Sequence, residues 1–201
     1  MNYILCAVLG YCLGCFSTAY FMGRIHGFDI RDKGSGNAGA SNVQIALGWK
    51  AGVITALVDI LKGFAAAMIA EKLFPDMSLA PYIAGSMAVI GHIFPFYLGF
   101  KGGKGYATYV GMIFGLDWRL GIACVIWGVI ITLVTGYTFF GTLTTVILVP
   151  ICLWILKAET AAIILLAVLG VLMFYKHKIN IQRLIRHEEI SLWNSVKHRV
   201  K

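Results

Sequence analysis

Long apolar runs separated by short polar islands set the pattern of this chain. The runs occupy residues 4–22, 53–70, 79–100, 106–116, 119–135, 137–154 and 158–175. Crossing a hydrocarbon core takes about 20 helical residues, and in lipid only helices and closed barrels satisfy their own backbone. Every run except 106–116 approaches that length. The pattern predicts an all-α, polytopic membrane protein with about seven transmembrane helices in a single domain over residues 1–201. The fourth run is short, so a tilted, thin or re-entrant helix is expected there.

Basic residues then set the direction of the spans, because cytoplasmic loops are enriched in lysine and arginine. With the N-terminus outside and seven crossings, the inside regions hold Arg24, Arg31, Lys33, Lys50, Lys101, Lys104 and the basic residues from Lys176 to Lys201. The outside regions hold Lys72, Arg119 and Lys157. This bias places the C-terminus in the cytoplasm and gathers the polar islands on the cytoplasmic face. The first run has no basic stretch before it and no evident small-residue cleavage site, so it is expected to stay as a span rather than be removed.

Composition agrees. Apolar residues make up 59% of the 201 and charged residues 13%, against about 45–50% and 25% in soluble domains. The net charge of +8 follows from the inside bias and suits anionic lipid headgroups. No aromatic-and-basic array suggests nucleic acid. Cys6, Cys12, Cys15, Cys124 and Cys152 all lie in apolar runs and read as small buried hydrophobes.

The first island is Arg31-Asp32-Lys33-Gly34-Ser35-Gly36-Asn37-Ala38-Gly39-Ala40-Ser41-Asn42. Glycine, serine and asparagine in this density can line a compact loop with N–H and hydroxyl donors; the same composition also suits an ordinary interhelical loop. The second island is Lys101-Gly102-Gly103-Lys104-Gly105, at the end of the run that carries His92 and Pro95. Glycines allow several N–H groups to face one point and lysines add positive charge, which suits a phosphate. It is not a Walker A loop, because Gly105 follows Lys104. The third island runs on from Lys176: His177 and Asn180 share a face if the last helix continues, Arg183 extends that face, and residues 177–201 read as an amphipathic cytoplasmic tail. Inside the bilayer, Asp59 and Lys62 lie three apart. They read as an ion pair or as support for the loop site.

Other chemistries are absent. There is no G-x-S-x-G elbow, no H-E-x-x-H, no histidine followed five positions later by aspartate, and no paired carboxylates in a plausible site. No metal and no cofactor are expected.

The islands, taken in order, resemble the bacterial integral-membrane acyl-phosphate:glycerol-3-phosphate acyltransferases. The similarity rests on the 34–42 loop, on Gly91-His92 through Thr108, and on His177-Lys178-Ile179-Asn180-Ile181-Gln182-Arg183-Leu184, with Asp59-Ile60-Leu61-Lys62-Gly63 also fitting. The resemblance implies a seven-helix fold in the bacterial inner membrane with a cytoplasmic active site. It implies transfer of a fatty acyl group from acyl phosphate to the 1-hydroxyl of glycerol 3-phosphate, giving lysophosphatidic acid and phosphate, the first acylation of phospholipid synthesis. Expected partners are acyl phosphate, glycerol 3-phosphate, membrane lipids and the soluble enzyme that makes acyl phosphate. A small transporter of phosphorylated solutes or lipids is the alternative.

On that basis Ser35, Asn37, Ser41 and Asn42, with Gly34 and Gly36, are expected to surround the acyl phosphate. Gly102, Gly103, Lys104 and Gly105 would hold a phosphate with Lys101 in support, and His92 would sit beneath them. His177 and Asn180 would place the acceptor, with Arg183 a further charge contact. Ser35, Lys104, His177 and Asn180 are the expected catalytic residues. For the proton, His177 and the donor's own phosphate both qualify, with the phosphate preferred. The chain departs from the family at four positions: Ser41 stands where threonine is usual and keeps the hydroxyl, Ile45 where arginine is usual, His187 where glycine is usual, and Ser191 where lysine is usual.

Overall fold

The computed structural model describes residues 2–191. Ten α-helices appear among them: α1 (Asn2–Cys15), α2 (Thr18–Ile25), α3 (Ala40–Leu47), α4 (Trp49–Leu73), α5 (Ala80–Ile93), α6 (Tyr106–Leu116), α7 (Trp118–Thr135), α8 (Thr138–Ile155), α9 (Thr160–Lys176) and α10 (Lys178–Ile185). There is no strand among the described residues. Residues 192–201, which include Leu192, Trp193, Val196 and Val200 of the expected amphipathic tail, lie outside the described residues.

Five helical stretches are long and apolar enough to cross a membrane: Asn2–Ile25, Trp49–Leu73, Ala80–Leu98, Trp118–Thr135 and Thr138–Ile155. A sixth arises if α9 and α10, bent by 44°, form one span. The fourth apolar run stays short, as its length foretold: α6 has 11 residues, about 16 Å of helix. Two runs that read as continuous are broken. The first divides at Phe16 and Ser17, between α1 and α2. The third leaves the α-helix after Ile93, where Pro95 has no N–H to continue the ladder, and passes through a single turn at Phe96–Leu98.

The helices fall into two compact units, Met1–Gly121 and Ile122–Lys201. In the first, small residues bring backbones together. Gly10 and Gly14 of α1 lie against Ala84 and Ala88 of α5, where any added Cβ would strike the partner's carbonyl. Association in lipid depends on such close packing, because the tails are as apolar as the side chains. Gly111 and Gly115 of α6 meet Ile60, Phe64 and Ala67 of α4, so this glycine pair packs helices within the chain. The lipid-type exterior is carried by residues such as Leu57 and Leu61, both exposed.

In the second unit, Trp127 Nε1 donates to Thr144 Oγ1 at 2.9 Å, joining α7 to α8. Gly170 of α9 sits against the Val146 carbonyl of α8. That carbonyl lies four residues before Pro150, which has no N–H to offer it. Between α8 and α9 opens an apolar cavity of about 540 Å³, whose lining includes Ile147, Pro150, Gly170, Phe174 and Tyr175.

Candidate functional site

The loop from Gly27 to Gly39 is built around one buried side chain. Asn42, at the start of α3, is fully buried. Its Oδ1 accepts from the Ser35 N–H at 2.7 Å. Its Nδ2 donates to the carbonyls of Ile30 at 2.8 Å and Lys33 at 3.0 Å. A side-chain amide has two N–H groups, and both are spent. Asn42 was expected to donate to the acyl phosphate; it is instead the internal staple of the loop. Gly34 and Gly36 take left-handed φ values of 53° and 76°, and a Cβ at Gly34 would also collide with Asn42 Oδ1. What the loop leaves toward the surface are the half-buried Ser35 and Asn37 and the exposed Ser41.

A second staple reaches outward. Asp29 caps the turn Ile30–Asp32 and grips Arg31, with Arg31 Nη2 2.7 Å from Asp29 Oδ2. The Arg31 hydrogen bonds hold the Asp29 carboxyl below its usual range, while Asp29 raises Arg31. Arg31 Nη1 then donates to the Leu98 carbonyl at 2.9 Å. The first island is thereby tied to the stem of the second.

The stretch Lys101–Gly105 docks along the end of α5. Gly102 N–H donates to Ile93 O and Gly103 N–H to His92 O, each at 3.1 Å. These amides were expected to face a phosphate; they are engaged within the fold. Gly103 is glycine for another reason. A Cβ there would land on His92 Nε2 and crowd the Ala38 carbonyl of the first island. The two glycine-rich loops therefore meet at one seam. Gly105, with φ 94°, caps the start of α6. Lys101 is exposed and Lys104 half-buried, so the charge of this island resides in its side chains.

Beneath the seam lies a buried polar node. Lys62 Nζ is 2.8 Å from Asp59 Oδ1, 2.8 Å from His92 Nδ1 and 2.7 Å from the Phe16 carbonyl. The last contact explains the break between α1 and α2, which exposes that carbonyl. Tyr97 completes the break: its hydroxyl donates to Cys15 O at 2.9 Å and accepts from Ser17 N–H at 3.1 Å. The Asp59–Lys62 pair was legible at its spacing. Tyr97 was not, because nothing in sequence marks one tyrosine of Phe94-Pro95-Phe96-Tyr97 as a backbone bridge.

In the second unit, His177 forms the joint between α9 and α10, so the helix does not run straight through the third island. His177 is 3% exposed, and its Nδ1 lies 2.8 Å from Met173 O. A carbonyl only accepts, so Nδ1 carries the proton. Asn180 donates to Glu189 Oε1; the acid of this island thus pairs with Asn180. Arg183 is half-buried on α10, and its carbonyl accepts from Glu188 N–H at 2.8 Å. His187 lies in the left-handed region at φ 59°.

Comparison with known proteins accords with these features. A family model described as glycerol-3-phosphate acyltransferase matches residues 4–187. A glycerol-3-phosphate acyltransferase of Mesorhizobium japonicum is 40% identical over 188 residues, covering 92% of this chain and 94% of its own length. Glycerol-3-phosphate acyltransferase 1 of Oceanobacillus iheyensis is 34% identical over 199 residues, covering 96% of each. The crystal structure of PlsY (YgiH), an integral membrane glycerol 3-phosphate acyltransferase in its glycerol 3-phosphate form, superposes with a TM-score of 0.88 at 33% identity, covering 95% of this chain and 96% of that one. The same protein's lysophosphatidic acid form gives 0.87 at 31% identity, covering 98% of this chain and 99% of that one. This chain belongs to the glycerol-3-phosphate acyltransferase family of integral membrane proteins.

Proposed function

We propose that this protein transfers a fatty acyl group from acyl phosphate to the 1-hydroxyl of glycerol 3-phosphate at the cytoplasmic face of the bacterial inner membrane. Lysophosphatidic acid and inorganic phosphate are the products. The N-terminus lies outside, the C-terminus lies in the cytoplasm, and residues 1–201 act as one acyltransferase domain.

The observation that carries this reading is the seam where Ala38 of the first glycine-rich loop meets Gly103 of the second, at the end of helices long enough to span a bilayer. A membrane enzyme for a phosphorylated lipid precursor needs polar loops fixed at the mouth of apolar helices. Ser35, Asn37 and Ser41 supply neutral donors, and Lys101 and Lys104 supply charge for the donor's phosphate. His177 and Asn180 place the glycerol 3-phosphate, with Arg183 as a further cation. The cavity between α8 and α9 suits an acyl chain, and its lining ends at Tyr175, two residues before His177.

Acyl phosphate is a mixed anhydride with a good leaving group. The hydroxyl oxygen attacks the acyl carbon, the bond from that carbon to the phosphate oxygen breaks, and the proton passes to the departing phosphate. The protein's task is alignment and neutralisation of charge. Transport would call for polar residues at mid-depth in several spans, whereas α8 contains no charged residue. The test is phosphate release from acyl phosphate by purified protein, dependent on glycerol 3-phosphate. Formation of lysophosphatidic acid with acyl-CoA as the sole donor, or no phosphate release with acyl phosphate, would overturn the assignment.

A further inference from the structure

An ammonium group has three N–H donors and no acceptor. Lys62 is buried, with 6% of its side chain exposed, so each of those protons needs a partner within the protein. Three atoms stand at bonding distance: Asp59 Oδ1 at 2.8 Å, Phe16 O at 2.7 Å and His92 Nδ1 at 2.8 Å. A carboxylate and a carbonyl only accept. Asp59 Oδ1 meets the ammonium as an ion pair without a hydrogen bond of its own, whereas Lys62 Nζ is hydrogen-bonded to the Phe16 carbonyl and to His92 Nδ1, and Nδ1 must present a lone pair to receive the ammonium proton. A proton on Nδ1 would set donor against donor at 2.8 Å. The competing acceptor for such a proton, Asp59 Oδ1, is 3.5 Å from Nδ1, at the limit of a hydrogen bond.

With Nδ1 accepting, the ring is neutral and its proton sits on Nε2. That nitrogen faces the seam of the two glycine-rich loops, where a Cβ on Gly103 would overlap Nε2 and stand 2.8 Å from the Ala38 carbonyl. The ring is held from behind as well, because the His92 carbonyl accepts the Gly103 N–H. The titratable groups around the ring are Asp59 and Lys62 from α4, with the Cys15 thiol at the end of α1 close to Lys62.

We propose that Asp59 and Lys62 are positioning residues that lock His92 as a neutral imidazole with its Nε2–H directed at the junction of the Ala38 and Gly103 backbones. His92 is there a fixed hydrogen-bond donor that sets the register of the two loops, and it neither takes nor gives a proton in turnover. Its kinetic consequence rests on the acyltransfer proposed above; the tautomer itself does not.

The experiment has two arms. In the first, purified enzyme carrying ¹⁵N-labelled histidine is studied by NMR, with the His92 signals identified by their loss in His92→Gln. The expected pattern is a protonated Nε2 and an unprotonated Nδ1 that hold across about pH 5–9, where an ordinary histidine titrates. A protonated Nδ1, or a doubly protonated ring, in the wild-type enzyme overturns the proposal. In Asp59→Asn/Lys62→Met, chosen because removing one partner alone strands a buried charge, the His92 signals should lose that fixed tautomer; an unchanged pattern counts against the lock.

The second arm is kinetic. Glutamine keeps an N–H near the Nε2 position, so His92→Gln should retain at least about tenfold more kcat/KM than His92→Leu, with a pH profile shaped like the wild type. Equal losses in the two variants overturn the donor role. A chain that proved to transfer no acyl group would remove the kinetic arm and leave the NMR arm to decide the tautomer.

Discussion

Asn42 holds Ser35 from within: its Oδ1 accepts the Ser35 N–H at 2.7 Å while its two amide protons close onto Ile30 and Lys33. The loop that presents Ser35 is thus shaped by a residue that never reaches the surface. Asn42→Ala would leave the Ser35 N–H without its acceptor and strip one donor each from the Ile30 and Lys33 carbonyls, which keep the Lys33 and Gly36 N–H groups, at a cost of about 1–3 kcal/mol. Thermal unfolding in detergent should show this loss. Asn42→Asp should do no better, because a carboxylate cannot donate to Ile30 and Lys33.

Gly103→Ala tests the seam. The added methyl group has no room between His92 Nε2 and the Ala38 carbonyl, so the second loop must lift away from α5. Displacement by about 1 Å at a positioned site costs about 100-fold in rate. Steady-state assays should show that scale of loss in kcat/KM, while the helical circular dichroism of the variant stays that of the wild type.

Acid should loosen the first loop through Asp29. Its folded carboxyl titrates below the usual value because Arg31 bonds it. A depressed carboxyl contributes stability above its unfolded value of about 3.9, and that contribution fades as pH falls through the folded value. The stability difference between wild type and Asp29→Asn should therefore be constant above about pH 5 and shrink below about pH 4. Chemical denaturation across that range reads it directly. A difference that grows on acidification would contradict the assigned sign.

The choice of base is open to a rate profile. His177 has its Nδ1 proton fixed on Met173 O, which orients the ring without requiring it to cycle. If the donor's phosphate takes the proton, His177→Gln should turn over slowly but keep the wild-type shape of kcat against pH. Disappearance of one limb in the variant would return the role to His177.

His187→Gly should stabilise the end of α10. The Glu188 N–H bonds to Arg183 O at 2.8 Å, a Schellman closure that places His187 at the left-handed position where glycine is favoured. Relief of about 1 kcal/mol is expected, visible as a raised Tm.

That position shows what sequence reading could and could not reach. Glycine is usual there in the family, yet only the backbone shows why. The spans were legible because about 20 apolar residues in a row admit few structures, and the short α6 was legible for the same reason. The division at Phe16 and Ser17 was not, since it depends on Lys62 and Tyr97 from distant parts of the chain. The glycine loops were found by composition, but that the Gly102 and Gly103 amides bond within the fold was not legible. A glycine that turns toward an anion and a glycine that lets a backbone press against a ring look alike until the neighbour is known.

Because the Gly102 and Gly103 amides point into the fold, the charge this loop offers an anion is carried by the Lys101 and Lys104 side chains rather than by those two main-chain dipoles. Attraction of that kind works through solvent and is damped over a Debye length of about 8–10 Å in ordinary salt. Capture of phosphorylated substrates should accordingly weaken as ionic strength rises, making this enzyme's saturation a function of the electrolyte around it as well as of substrate concentration.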